Sequence, residues 1–116
     1  MDIKIAPSIL SADFANLQRD IERIATADYV HVDVMDGVFV PNISYAFPVI
    51  KCLRPKSDLV FDVHLMIIDP IRYVDAFVDA GSDIITIHVE SCDNVEETLK
   101  YIKSKNVKAG AVIKPA

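Results

Sequence analysis

The stretch that most restricts the fold of this chain is His31-Val32-Asp33-Val34-Met35-Asp36, in which polar and apolar side chains alternate. Strand side chains point to opposite faces with period two, so imidazole, carboxylate and thioether share one face and valines the other. Asp62-Val63-His64-Leu65-Met66 repeats the arrangement further along the chain. An ionised carboxylate inside an apolar strand is costly unless something pairs with it. Two strands that each carry His and Asp among Val, Leu and Met predict a shared partner. A metal ion between them would serve.

The surrounding pattern alternates strand and helix. Strands are predicted over 3–10, 29–35, 59–66, 83–89 and 109–114. Pro7 lies inside the first, a position that usually marks an edge or a bulge. A helix over 14–26 is capped by Ser11 or Asp13 and buries Leu17, Ile21, Ile24 and Ala25. The long loop over 36–48 contains Gly37, Pro41, Asn42 and Pro48, a length and composition that favour function over mere connection. A short helix over 46–54 turns Val49, Ile50 and Leu53 inward. Asp69-Pro70 reads as N-cap and first helical residue, Ile71, Val74, Phe77 and Val78 as the buried stripe, and Gly81 as the stop. Asp93 and Glu96 resemble a capping box for a helix over 94–105, with Val95, Leu99 and Ile102 inward.

Five strands and four helices in strict alternation predict an α/β fold with a parallel sheet and right-handed crossovers. An open sheet would bury both faces of its central strands in apolar contacts. Here one face carries His31, Asp33, Asp62, His64, Thr86, His88 and Glu90. Polar groups gathered on one face toward the carboxyl ends fit the interior mouth of a TIM-type barrel. A whole (β/α)8 barrel needs upward of about 200 residues. The 116 residues therefore predict a single domain, 1–116, forming about half of such a barrel, with two unpaired sheet edges that invite a second chain.

Composition narrows the function classes. A 52% apolar and 25% charged chain is that of a globular protein. A net charge of −5, with no Lys/Arg cluster on any predicted face, argues against nucleic acid as a partner. No apolar run approaches a membrane span, and Met1-Asp2-Ile3-Lys4 is not a signal peptide. Cys52 and Cys92 form no CxxC and read as reduced thiols, which predicts a cytoplasmic location.

Five collinear runs carry a resemblance. They are Ala6-Pro-Ser-Ile-Leu-Ser-Ala-Asp-Phe14, His31-Val-Asp-Val-Met-Asp-Gly37, Phe39-Val-Pro-Asn-Ile-Ser44, Asp62-Val-His-Leu-Met66 and the stretch over 108–115. Together they resemble the N-terminal half of the ribulose-phosphate 3-epimerase family. The resemblance implies a TIM barrel that interconverts D-ribulose 5-phosphate and D-xylulose 5-phosphate in the pentose phosphate pathway, using a divalent metal. It implies His31, Asp33 and His64 as metal ligands and Asp33 as one of two acid/base carboxylates. It further implies that Ser8 and His64 contact the sugar phosphate, and that Met35 and Met66 line the reacting carbons. Two departures fall in the long loop: Val38 stands where the family usually has His, and Tyr45-Ala46-Phe47 where it usually reads Phe-Gly-Pro. The second catalytic Asp, the fourth ligand and the Gly-rich phosphate loop belong to the family's C-terminal half, and the three glycines here are not clustered.

The chemistry explains the residue types. Inverting C3 of a 2-ketose requires removing a proton alpha to a carbonyl and returning one on the opposite face. A metal-stabilised enediolate makes that feasible, and imidazole with carboxylate suits Zn, Fe, Mn or Co. Asp33 could both ligate and move the proton. The thioethers of Met35 and Met66 would form a polarizable, poorly hydrated cushion. Asp36 either caps the loop or contacts chemistry; Asp62 reads as a structural hydrogen-bonding residue; His88 and Glu90 are the less favoured additional ligands. Two other functions fit the same residues: an allulose 6-phosphate 3-epimerase, which the altered loop keeps open, and a non-catalytic half-barrel that self-associates or pairs with a complementary half.

Overall fold

In the computed structural model, which describes residues 2–115, the chain forms an α/β fold with a parallel sheet, consistent with part of a TIM barrel. The strands are β1 (Tyr29–Met35), β2 (Val60–Met66), β3 (Ile84–His88) and β4 (Lys108–Val112), paired in that order. The helices are α1 (Leu17–Arg23), α2 (Phe47–Leu53), α3 (Val74–Ala80) and α4 (Val95–Ser104).

Burial follows the period-two pattern. Val30, Val32 and Val34 of β1, Phe61, Val63 and Leu65 of β2, and Ile85 and Ile87 of β3 are buried. They pack with Ile21, Ile50, Leu53, Val74, Phe77, Ala80 and Ile102 from the helices into one core. The intervening residues, including His31, Asp33, Asp62 and His64, stay half-buried on the other face. The helices thus cover one side of the sheet and leave the polar side open.

The predicted first strand is a correction: among the described residues four strands form, not five. Residues 3–8 do run beside β1, and Tyr29 and His31 donate their N–H groups to Ile5 O and Pro7 O at 3.1 and 2.8 Å. In a parallel ladder the reciprocal donor between those two bonds is the N–H of residue 7. Proline has none, so only the isolated bridge Ser8↔His31 survives.

Three predicted caps also resolve. Asp13 caps a 3-10 turn, Phe14–Asn16, that precedes a shorter α1, and Ala25 is exposed. Asp69 does not cap. Its backbone is left-handed, at φ 45°, and its carbonyl accepts from the Arg72 backbone and side chain. A 3-10 turn, Pro70–Tyr73, therefore intervenes before α3. At α4 the cap is Asn94, whose Oδ1 accepts from Glu97 N at 3.0 Å, one residue beyond the predicted Asp93.

Arg54 ties the amino ends of the strands together. Its Nη1 donates to Gly81 O and Asp83 Oδ2 at 3.1 and 2.8 Å, and its Nη2 to Ser57 O and Leu59 O at 2.9 and 2.7 Å. The guanidinium also lies 3.8 Å from the centre of the Phe61 ring. Gly81, at φ 116°, leaves room for it: a Cβ there would come within 2.4 Å of the arginine chain. A planar fork meets four acceptors that a lysine ammonium cannot match. Arg54→Lys is expected to lower stability by about 2 kcal/mol, read from the urea midpoint at constant m.

Asp36 ties the loops at the other end. Oδ1 accepts from Val38 N and Phe39 N, and Oδ2 from Ile68 N, all at 2.8 Å. Burial raises the Asp36 carboxyl, but these three donors outweigh it and hold it below its ordinary range. A carboxyl depressed on folding contributes stability above its unfolded value near 3.8, lost as pH falls through the lower folded value. Asp36→Asn is expected to narrow the gap in stability between pH 7 and pH 3, measured by urea unfolding at both.

Candidate metal centre

Period two and register together assemble the centre. β1 puts His31, Asp33 and Met35 on the open face, and β2 pairs with it so that His31 faces Asp62, Asp33 faces His64 and Met35 faces Met66. One ligand atom each from His31, Asp33 and His64 falls within 4.8 Å of the others. Asp33 Oδ1 is shared: it lies 3.1 Å from His31 Nε2 and 3.2 Å from His64 Nδ1. Asp33 Oδ2 accepts from Ser8 Oγ at 2.5 Å.

Electrostatics follow from that convergence. Burial pushes the Asp33 carboxyl up, but hydrogen bonds from His31, His64 and Ser8 outweigh it and hold it well below the usual carboxylate range. His31 lies between two carboxylates, with Nδ1 2.9 Å from Asp62 Oδ2. Hydrogen bonding to Asp33 and then Asp62 pushes it up to about 9.

The donor set fits a divalent ion. Two imidazole nitrogens and one carboxylate oxygen converge, and each ligand has a polar group behind it: Asp62 for His31, Ser8 for Asp33, and His88 for His64. Such outer partners orient metal ligands and set the histidine tautomers. An N,N,O set suits first-row divalent metals.

The remaining candidates divide. Met66 is buried and Met35 half-buried, one register step beyond Asp33 and His64 toward the carboxyl ends. Met35 also lines a cavity of about 550 Å³ beneath the 36–47 loop, away from the imidazoles, with Tyr45, Phe47, Tyr73 and Phe77. Asp36 spends both oxygens on loop amides. His88 and Glu90 stay outside the triad: His88 Nε2 lies 2.7 Å from His64 Nε2, and Glu90 Oε2 accepts from Lys114 N at 2.7 Å. Burial, then the neighbouring His64, lowers His88 below the ordinary imidazole value.

Tyr45 is a residue that the sequence did not single out for the site. Its hydroxyl is buried without a partner, and burial pushes it up to about 12, with Asp33 and Ser8 nearby. The signals were its place in the long loop and its departure from the family's usual Phe.

Comparison with known proteins gives one answer. The chain is 50% identical to ribulose-phosphate 3-epimerase of Bacillus subtilis (strain 168) over 115 residues, covering 97% of this chain and 53% of that protein. It is 49% identical to the enzyme of the same name from Rhodobacter capsulatus, covering 97% and 50%. It is 48% identical to the chloroplastic ribulose-5-phosphate-3-epimerase of Arabidopsis thaliana, covering 98% and 42%. The chain thus spans about half the length of the curated relatives it matches. The sequence profile described as the Ribulose-phosphate 3 epimerase family matches residues 4–116, and the chain belongs to that family of isomerases.

Proposed function

We propose that this chain carries the metal-binding half of a 3-epimerase that interconverts D-ribulose 5-phosphate and D-xylulose 5-phosphate. The observation that carries the reading is the convergence of His31, Asp33 and His64 within 4.8 Å in a member of this family. We take 1–116 as a single domain, the N-terminal half of a (β/α)8 barrel, and the protein as cytoplasmic. The free thiols of Cys52 and Cys92 support that location. Among the described residues no helix is long and apolar enough to cross a membrane.

His31, Asp33 and His64 would hold the ion, as Zn, Fe, Mn or Co. When bound, it would act as a Lewis acid on the negative charge that builds up as the C3 proton leaves. Asp33, kept ionised by its three donors, takes or returns the proton on one face of C3. Ser8, hydrogen-bonded to the same carboxylate, orients it and reaches the substrate beside His64. Met35 and Met66 keep water from the reacting carbons. One rigid carboxylate cannot serve both faces of C3. The second acid and the phosphate site belong, in this reading, to the part of the relatives' length that this chain does not span. A complementary half-barrel covering the open sheet face is therefore the partner proposed.

Calorimetric titration with Zn²⁺ checks the ligand set. Asp33→Asn is expected to weaken uptake by more than the roughly 10–100-fold typical of outer partners; uptake equal to the parent chain would remove Asp33 from the centre. A coupled assay for xylulose 5-phosphate checks the division of labour. The chain alone should be slower by about 100-fold or more than the chain mixed with the C-terminal half of the Bacillus subtilis relative. Equal rates would show that no second acid is missing.

A further inference from the structure

The loop over 36–48 leaves β1 and reaches across the open face. Its tip turns toward the far edge of the sheet. The Phe39 ring packs on His88 of β3 with centroids 5.0 Å apart, and His88 stacks on His64 of β2 at 4.8 Å. Lys114, just past β4, holds the tip there. Its Nζ donates to Phe39 O at 2.9 Å and lies 3.6 Å from the centre of the Phe39 ring. Lys114 is itself fixed, because its backbone N–H donates to Glu90 Oε2 at 2.7 Å. One side chain thus joins the loop after β1 to the ends of β3 and β4, across 75 residues of sequence.

The loop is firm at its feet and lightly held at its tip. The Asp36 carboxylate and the Asp36↔Ile43 bridge secure the feet. Gly37, Val38, Pro41, Asn42 and Ile43 are exposed, so the tip packs mainly through Phe39. A segment with few buried apolar contacts opens locally with little free energy. An ammonium over an aromatic face and a charge-assisted hydrogen bond are each strong enough to shift such an equilibrium severalfold.

We infer that Lys114 is a positioning residue: it latches the tip of the 36–48 loop over the open face and so sets how readily solvent and solutes reach the His64–His88 side of the centre. Phe39 is the part of the loop that does the covering. The catalytic meaning of this face rests on the function proposed above. In that setting the latch releases to admit a sugar phosphate and re-forms over it, excluding water from the reacting carbons.

The test reads access to His88 in the whole chain without metal or substrate. Histidines are carbethoxylated with diethyl pyrocarbonate, and the rate at His88 is followed by peptide mass spectrometry. Lys114→Met keeps the length of the side chain but loses the charge and the donor. It should speed modification of His88 by about five-fold or more. Lys114→Arg keeps both and should stay within about two-fold of the parent chain. Hydrogen exchange in the peptide covering 37–43 should quicken in Lys114→Met and stay parental in Lys114→Arg. Lys114 is exposed, so the urea midpoints should match. Parental rates of modification and exchange in Lys114→Met would overturn the latch. So would equal acceleration in the Met and Arg variants, or an acceleration that only follows a fall in global stability. A parent chain that takes up no Zn²⁺ would remove the cation site of the proposed function instead, and the His88 rates would still decide the latch.

Discussion

Everything at the open face depends on one carboxylate placed where a carboxylate is expensive. Asp33 sits in the middle of β1, flanked by buried valines. It remains ionised because a hydroxyl and two imidazoles converge on it. Those donors come from three separate chain segments. Their convergence requires the β1–β2 register that sets Asp33 against His64. A slip of one residue would turn His64 into the helix-covered core and leave the carboxylate without its second imidazole.

The fold separates that demand from the demand for stability. The helix-covered face is wholly apolar, and its valines, isoleucines and phenylalanines lock the register. At the amino ends of the strands, Arg54 fastens the turns before β2 and β3 through four backbone and carboxylate acceptors. At the carboxyl ends, Asp36 fastens the loop after β1 to the segment after β2. With the scaffold held at both ends, the open face can carry converging imidazoles and half-buried charges. Removal of either partner from such a buried pair costs more than the pair contributes, which is why the outer partners Asp62 and His88 matter.

Much of this was legible from residue order. Alternation of His, Asp and Met with valine identified both the strand and its polar face. The triad of His31, Asp33 and His64 followed from two motifs and a family resemblance, and the three side chains do meet. The misreadings share a cause. Residues 3–10 have strand composition, but the missing N–H of Pro7 breaks the ladder, a loss visible only once its pairing partner is known. Asp69 and Asp93 are cap-type residues displaced from the cap by backbone geometry: a left-handed φ at one, a shift to Asn94 at the other. Cap chemistry is local, but the entry direction of the chain is set by the sheet it leaves.

The sequence by itself determined the alternation of strand and helix, the polar face and the residue types that line it, because side-chain periodicity is a property of the chain alone. Only the tertiary structure decided which groups stand behind those residues. Asp62 behind His31, the His88–Glu90 pair behind His64 and Tyr45 near Ser8 arise between segments far apart in the chain. Hydrogen-bond partners at that separation are chosen by strand register and loop packing, which distances within the sequence do not encode.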